Sequence, residues 1–245
     1  MEYFEEVRRR KYFVEPHIPR FAQFERWNGA RVLEVGCGIG TDTLSFAQAG
    51  ASVVAVDLSE RSLELARKRA ALYGVSDRVR FIHADAERLS ESLRPEHYDL
   101  IYSFGVLHHT PHPDRALAEM RAFAAPGTTL KLMVYHRYSW KVLSIILRHG
   151  KGRFWRLDEF VASFSEAQTG CPITYSYSRR SAVEFIERHR FKIVNCFVEH
   201  ILPYRVADYA QYRYVREWYF RLTPVPAFRW LEGKFGWHLC LTARA

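Results

Sequence analysis

The feature that most constrains this chain is the glycine-rich segment Val32-Leu33-Glu34-Val35-Gly36-Cys37-Gly38-Ile39-Gly40-Thr41. An apolar run ends in three glycines at alternate positions, and apolar residues at helical spacing follow. This order predicts a strand, a tight loop and a helix. Glycines let the backbone turn sharply and let a ligand lie against it. The start of the helix adds unpaired N–H groups and the positive end of its dipole. The loop is therefore predicted to bind a nucleoside-type cofactor with an anionic group nearby.

A second predicted strand, Val53-Val54-Ala55-Val56-Asp57, ends in an acid. A carboxylate at this place can accept hydrogen bonds from both hydroxyls of a ribose. Dinucleotide-binding loops follow the pattern G-x-G-x-x-G/A. Here Gly40 comes one residue early, and Thr41 stands where that pattern requires a small residue. The spacing therefore argues against a dinucleotide oxidoreductase.

Glu-Val-Gly-Cys-Gly-Ile-Gly at 34–40, followed by Val-Asp-Leu-Ser at 56–59, resembles the first two motifs of class I S-adenosylmethionine (SAM) dependent methyltransferases. The resemblance covers residues 30–135 well and the last two strands by position only. It implies that the cofactor is SAM. Its predicted binding residues are Tyr12, Glu34, Gly36, Cys37, Gly38, Asp57, Leu58, Asp85, Ala86 and Ser103.

Two of these assignments have a structural alternative. In the resembled family an acid just past the third strand bonds the adenine amino group, and Asp85 matches it; otherwise Asp85 caps the next turn. An N-terminal segment of the family often folds over the cofactor as a lid, which makes Tyr12 a candidate contact to the methionine end. Otherwise Tyr12 packs on the edge of the sheet.

Strands and helices alternate up to residue 135, which indicates a doubly wound α/β fold. The predicted architecture is a seven-stranded Rossmann-like sheet with a C-terminal antiparallel strand pair, an N-terminal helical lid and helical cap insertions. The predicted segments are a lid (1–29), a SAM-binding core (30–138), a cap insertion (139–178), a helix with the sixth strand (179–199), an aromatic helical insertion (200–235) and the seventh strand (236–245).

Predicted helices outside the core include residues 2–15, a short one near Phe21 to Trp27, Trp140 to Leu147 and Ala182 to His189. The pattern Tyr212-Val215-Tyr219 favours another, and residues 166–172 are interpreted as an irregular loop. The helix at 140–147 is amphipathic and has basic neighbours, which suits either a membrane surface or a cap packed on the core.

Candidate reactive groups follow the fourth and fifth predicted strands. Phe104 to Pro111 resembles the family's fourth motif, which places the backbone near Ser103 beside the methionine portion of SAM. We expect one of His108 and His109 to pack structurally and the other, His109, to face the pocket. Together with His112 and Asp114 they lack the helical spacing of a zinc site, so no metal is predicted.

His136 lies at the carboxyl end of the fifth strand, where the methyl group is expected. It is interpreted as a base or an anchor for an anionic substrate, with a surface turn as the alternative. His109 and His136 are thus the predicted catalytic residues. The predicted substrate contacts are His108, Tyr135 and Tyr175.

Charge and aromatic residues are unevenly distributed. Residues 1–130 carry 17 Lys and Arg against 18 Asp and Glu, whereas residues 131–245 carry 19 against 9 and contain 23 of the 37 aromatic residues. The second part is therefore where an acceptor is expected. Four scattered cysteines and the lack of a long apolar run fit a cytoplasmic protein without a membrane span. The oligomeric state is not predicted.

The sequence thus favours a SAM-dependent methyltransferase of a small molecule, anionic or aromatic, held under a basic and aromatic cap. A methyltransferase of RNA or protein is an alternative, although no appended nucleic-acid-binding module is present. A protein with this fold that binds SAM without catalysis would keep the same loop and Asp57, so it is a further alternative.

Overall fold

The computed structural model describes residues 1–150, 153–165, 173–201 and 204–245. Its centre is a seven-stranded sheet with the strand order β3-β2-β1-β4-β5-β7-β6. Strand β7 is antiparallel to both of its neighbours, and the other neighbouring strands run parallel. The predicted fold class is confirmed. The strands are β1 (Arg31–Val35), β2 (Ser52–Asp57), β3 (Val79–His83), β4 (Tyr98–Phe104), β5 (Ala124–Tyr135), β6 (Lys192–Glu199) and β7 (His238–Arg244).

Helices cover both faces of this sheet. In chain order they are α1 (Glu2–Val14), α2 (His17–Ala22), α3 (Thr41–Gln48), α4 (Glu60–Leu72), α5 (Leu89–Ser92), α6 (Pro113–Ala122), α7 (Trp140–His149), α8 (Leu157–Ser165), α9 (Arg179–Arg188), α10 (Val206–Tyr209) and α11 (Val225–Phe235). Serine side chains begin three of them. Ser59, Ser139 and Ser178 each accept a hydrogen bond from a backbone N–H in the first turn, which stabilises the helix start.

The long strand β5 shows how the two faces are filled. Side chains alternate along a strand, so Leu132 and Val134 join one apolar cluster with α6 and α9, and Met133 and Tyr135 join the other with α3, α4 and α7. Parallel strands that are buried on both faces have nearly continuous runs of apolar residues, and the strands of this sheet have such runs. The carboxyl ends of β1, β2 and β4 consequently meet at one edge of the sheet.

Helix α1 is held to α3 by polar contacts. Asp42, which is buried on α3, accepts hydrogen bonds from Lys11 Nζ (2.8 Å), Tyr12 OH (3.0 Å) and Tyr102 OH (2.9 Å). On α4, Arg69 is fully buried and donates to Thr41 Oγ1 (2.6 Å) and to the Phe4 carbonyl (3.0 Å). The N-terminal segment therefore lies directly beside the helix that follows the glycine loop.

The predicted helix through Tyr212 and Tyr219 is wrong. Tyr212 has a left-handed backbone (φ 55°), Tyr204 and Arg216 form an isolated antiparallel bridge, and only Trp218–Phe220 forms a 3-10 turn. The rings there pack individually, as Tyr214 stacks on Phe13 with ring centroids 4.3 Å apart. The aromatic spacing was misleading because these rings make individual contacts with distant segments and do not share one face of a helix.

Two further elements differ from the prediction. The helix expected near Phe21–Trp27 is divided into α2, which begins directly after Pro16, and a 3-10 turn at Phe24–Trp27. Helix α8 was not predicted. The loop expected at 166–172, with Cys171, lies outside the described residues. In the part of the chain that the structure describes, no helix has the length and apolar character to span a membrane.

Candidate functional site

The glycine loop has a left-handed backbone at both Gly36 and Gly38, but the space around the two residues differs. Gly36 has φ +82°, and a Cβ there would lie 2.1 Å from Val106 Cγ2, so a side chain does not fit. Its N–H donates to the Val56 carbonyl (2.8 Å), which ties the loop to β2. Gly38 also has a positive φ (+55°), but a Cβ there would meet nothing within 4 Å. The loop thus packs closely against Val106, which follows β4, at Gly36 and leaves open space at Gly38.

Asp57 links this loop to the next helix. Its Oδ2 accepts the Gly38 N–H (2.7 Å) and its Oδ1 accepts the Ser59 N–H (2.9 Å). A carboxylate has about four lone-pair positions, so two remain for hydroxyl donors of a ligand. The neighbouring Leu58 side chain is 69% exposed. An acid with spare acceptor capacity beside an exposed apolar surface suits the ribose and adenine of a nucleoside.

Glu34 lies beneath the loop rather than in the open space. It is buried and accepts a hydrogen bond from Thr43 Oγ1 (2.5 Å). Burial, and then repulsion from Asp42, raises the pKa of Glu34 to about 8. The adjacent Cys37 is also buried, which raises the pKa of its thiol. Both residues support the loop from inside the protein.

The other predicted cofactor residues have structural partners as well. Asp85 Oδ1 accepts the Glu87 N–H (2.9 Å) and caps the 3-10 turn that contains Ala86, as the alternative interpretation predicted. Ser103 is fully buried and donates to the Val35 carbonyl (2.9 Å), which joins β4 to β1. Tyr12 bonds α3 through Asp42 and Ser45 Oγ (2.8 Å). Their contacts to a cofactor stay predictions.

His108 and His109 have different environments. The His108 ring is fully buried, packs on the Tyr135 ring (centroids 3.8 Å apart), and has no hydrogen-bond partner within the described residues. Burial lowers the pKa of His108 well below its ordinary value. His109 is half-buried, and its Nδ1 lies 3.2 Å from both the Ile173 carbonyl and Thr174 Oγ1. A hydrogen bond to the carbonyl requires the proton on Nδ1, and in that tautomer Nε2 carries the lone pair.

The segment 173–177 covers these histidines. The Tyr175 N–H donates to the His108 carbonyl (2.8 Å), and its partly exposed hydroxyl donates to the Pro111 carbonyl (3.3 Å). Tyr135 is buried and stacks on Trp237 with centroids 4.0 Å apart. The structure therefore brings together His108, His109, Tyr135 and Tyr175, the predicted reactive and substrate residues other than His136.

His136 is separate from this group. It follows Tyr135 on β5 and is only 3% exposed. Its Nδ1 lies 3.1 Å from the Gly236 carbonyl, so Nδ1 donates and Nε2 carries the lone pair. Burial lowers the pKa of its imidazole. His136 is therefore a buried side chain and not part of a surface turn.

A second group of histidines was not found from the sequence. His17, His200 and His238 are buried near Glu15, although the first and last are 221 positions apart. Burial lowers the pKa of His17 to about 4 and that of His200 to about 3, so these rings are neutral. His17 and His200 line a cavity of about 450 Å³, together with Arg20, Glu199, Tyr204, Tyr214, Arg216, Phe228, Arg229 and Glu232. No local spacing in the sequence signals this grouping.

Comparison with known proteins agrees with this geometry. Residues 32–127 match the family of methyltransferase domains. Over 100 residues the chain is 38% identical to the ubiquinone biosynthesis O-methyltransferase of Bordetella parapertussis, an alignment that covers 41% of this chain and 40% of that enzyme. The chain therefore matches less than half the length of this relative.

Two solved structures share the fold over most of the chain. One is a SAM-dependent methyltransferase from Mesorhizobium loti, with a TM-score of 0.61 at 20% sequence identity. The superposition covers 94% of this chain and 97% of that enzyme. The other is the magnesium protoporphyrin IX methyltransferase of Synechocystis with bound SAM, with a TM-score of 0.55 at 16% sequence identity. That superposition covers 97% of this chain and 80% of that enzyme. The predicted fold is confirmed by these likenesses. Residues 32–127 thus match the methyltransferase-domain family, and the chain as a whole has the fold seen in the class I SAM-dependent methyltransferases.

Proposed function

We propose that this protein transfers a methyl group from SAM to a small anionic or aromatic molecule that carries a hydroxyl or carboxyl acceptor. The observation that carries the proposal is the arrangement of Gly38 and Asp57. The backbone at Gly38 is open, and the carboxylate that orients it keeps lone pairs for a ribose. The B. parapertussis relative is an O-methyltransferase, which supports an oxygen acceptor.

The residues of the loop fit SAM. Gly36, Gly38 and Asp57 would hold the nucleoside, with Leu58 against the adenine and the backbone near Ser103 beside the methionine portion. When bound, SAM supplies an electrophilic methyl group on a sulfonium sulfur. The task of the chain is then to hold an acceptor oxygen in line with that methyl, which supplies much of the rate. Nearby rings such as Tyr135 and Phe104 favour a cationic centre.

His109 is the residue we assign as the general base. Its Nδ1–H is directed to the Ile173 carbonyl, so Nε2 has the lone pair that can take a proton from a hydroxyl acceptor. His136 has the same tautomer but is almost sealed from solvent. We therefore assign His136 to holding β5 against Gly236, and its role as a base is the weaker proposal.

The cavity of about 450 Å³ is the proposed acceptor site. Its volume lies within the usual range of small-molecule pockets. Three arginines, Arg20, Arg216 and Arg229, outnumber the two acids of its lining, Glu199 and Glu232. Tyr204, Tyr214 and Phe228 give it aromatic walls. Phe104 at the end of β4 lies beside this cavity, with its ring 5.9 Å from that of His17. His109 does not line the cavity, so the reacting oxygen of a bound acceptor would have to extend beyond it to reach His109. This lining suits a small anionic or aromatic acceptor better than a polymer.

The test is an assay for S-adenosylhomocysteine with a panel of phenols and carboxylic acids, and with RNA and protein as competing acceptors. We expect turnover with a member of the small-molecule panel only. Turnover with RNA or protein alone would support the alternative substrate class. Calorimetric SAM binding without turnover on any acceptor would support a binding protein, and NADH binding without SAM binding would reject the proposal.

His109→Gln tests the assigned base. We expect turnover on a hydroxyl acceptor to fall by about 10²- to 10⁴-fold, because a general base is lost, with SAM affinity unchanged. His112→Gln is the matched control, since His112 is exposed three residues away and should leave turnover unchanged. A His109→Gln enzyme as fast as the control would remove His109 from the mechanism.

A further inference from the structure

Four ionisable side chains from three distant parts of the chain meet below the proposed acceptor cavity. Glu15 follows α1, His17 begins α2, His200 follows β6 and His238 begins β7. One ligand atom from each of Glu15, His200 and His238 can be chosen so that all of them lie within 4.8 Å of one another. The three imidazoles are 3–8% exposed. Burying so many polar rings together is costly unless a partner satisfies them.

The orientation of His238 is fixed from both sides. Its Nδ1 lies 3.0 Å from His17 Nε2, and its Nε2 lies 3.6 Å from Glu15 Oε1. A histidine that binds a metal through one nitrogen commonly uses the other in a hydrogen bond that sets its tautomer and ring orientation. When His238 donates Nδ1–H to His17, its Nε2 lone pair faces the carboxylate. A cation between these two groups would relieve their repulsion.

His200 adds a second, independent observation. Its ring is 8% exposed, lines the cavity, and has no hydrogen-bond partner among residues 1–150, 153–165, 173–201 and 204–245. Its centroid lies 4.7 Å from that of His238. Hydrogen bonds within the group account for His17 and His238, whereas the His200 ring lines the cavity without a hydrogen bond to the rest of the group. A His200 nitrogen close to the ligand atoms of Glu15 and His238 could complete a set of three metal ligands.

We propose that Glu15, His200 and His238 bind one divalent transition-metal ion of the zinc class, with His17 as the residue that positions His238. Two imidazoles and a carboxylate suit zinc or its neighbours, whereas Mg²⁺ and Ca²⁺ prefer oxygen ligands throughout. Contraction by a few tenths of an ångström to about 1 Å would bring the three ligand atoms to the spacing of a tetrahedral site. The fourth position faces the cavity through His200.

The site goes beyond methyl transfer, since metal binding needs neither SAM nor an acceptor. It also gives the cavity a specific chemistry, because a metal ion with an open position binds a carboxylate, or a hydroxyl whose pKa it lowers. The ligand class predicted for the open position is therefore an oxygen anion. The Arg216 and Arg229 side chains in the same cavity wall favour the same charge.

The test is a titration of the chelator-treated full-length protein with Co²⁺, followed by visible absorption and by displacement with Zn²⁺. We expect one Co²⁺ per chain, with ligand-field bands that Zn²⁺ removes. Glu15→Gln and His200→Gln should each weaken binding at least about tenfold, and His17→Gln should shift the bands. His83→Gln is the matched control, because His83 also lies near a carboxylate, Glu60, at 4.0 Å but is exposed. It should bind as the wild type does.

Absence of stoichiometric Co²⁺ binding would overturn the proposal, and so would binding that Glu15→Gln and His200→Gln leave unchanged. Because Glu15 is partly exposed and glutamine is isosteric, Glu15→Gln remains informative even when a histidine variant does not fold; circular dichroism establishes which variants fold. SAM calorimetry on the same samples separates the two proposals. A wild-type protein that binds SAM but does not bind Co²⁺ rejects the metal site alone.

Discussion

The glycine loop and the histidine cluster are both polar groups at the same edge of the sheet, but the chain assembles them in opposite ways. The loop takes Gly36, Gly38 and Asp57 from 22 consecutive residues, and Asp57 bonds Gly38 directly. The cluster brings together His17, His200 and His238, of which the first and last are 221 positions apart. The loop is thus specified locally, whereas the cluster exists only once β7 has been inserted beside β5.

The two regions also differ in how their polar atoms are satisfied. In the loop, backbone N–H groups and the Asp57 carboxylate satisfy one another, so the shape is present without a ligand. In the cluster, the buried rings outnumber the hydrogen bonds found for them among the described residues. The contacts within the loop explain why its motif is recognisable in sequence, and the sparsely bonded cluster is where we propose the metal ion.

The largest expected effect is on the free energy of unfolding and concerns Glu34. It tests whether the buried carboxylate beneath the glycine loop destabilises the folded protein when it ionises. The folded-state pKa is about 8, above the ordinary 4.5 of a glutamate. Below pH 4.5 the group is protonated in both states and has no effect. As pH rises to 8 the unfolded state ionises first, so the folded protein loses stability, by roughly 3–5 kcal/mol in total.

Glu34→Gln should remove this loss, so the free energy of unfolding of the variant should exceed that of the wild type increasingly from pH 5 to pH 8. Chemical denaturation at several pH values measures it. Glu64→Gln on the exposed face of α4 is the control. Parallel curves for Glu34→Gln and wild type would show that the buried carboxylate does not carry this cost.

Gly36→Ala should separate the two regions. The positive φ and the 2.1 Å approach of a Cβ to Val106 predict a destabilisation of about 3 kcal/mol. Gly74→Ala, at φ +65° with nothing within 4 Å of a Cβ, should cost only about 1 kcal/mol. Unfolding experiments compare them. SAM binding should fall in Gly36→Ala while Co²⁺ binding at the cluster persists in the folded fraction; equal losses at both sites would contradict the distinction.

Asp57→Ala should have a smaller effect, confined to the loop. Loss of an acceptor for the ribose and of the Gly38 and Ser59 contacts should weaken SAM binding by about 1–3 kcal/mol, measured by calorimetry. Asp77→Ala, an exposed aspartate in a 3-10 turn, should leave SAM affinity unchanged. Unaltered SAM affinity in Asp57→Ala would remove the ribose role.

The core of the fold was accessible from sequence because its signals are periodic and local. Alternating strands and helices up to Tyr135 predicted the parallel sheet, and the helix predicted from Ala182 to His189 corresponds to α9. The insertions were harder to predict. Tyr212 and Tyr219 stand at helical spacing, yet their rings contact separate segments, Tyr212 packing on Phe13 and Tyr219 on Trp140. Spacing along the chain does not encode such contacts.

The sequence by itself determined the cofactor loop, since the conformations of Gly36 and Gly38 and the reach of Asp57 follow from the residues and their order. Only the tertiary structure decided which histidines matter together. It separated His136 from His109, and it joined His17, His200 and His238 across the chain. The physical reason is that backbone geometry is set by neighbours in sequence, whereas the burial and pairing of imidazoles are set by which strands and insertions meet.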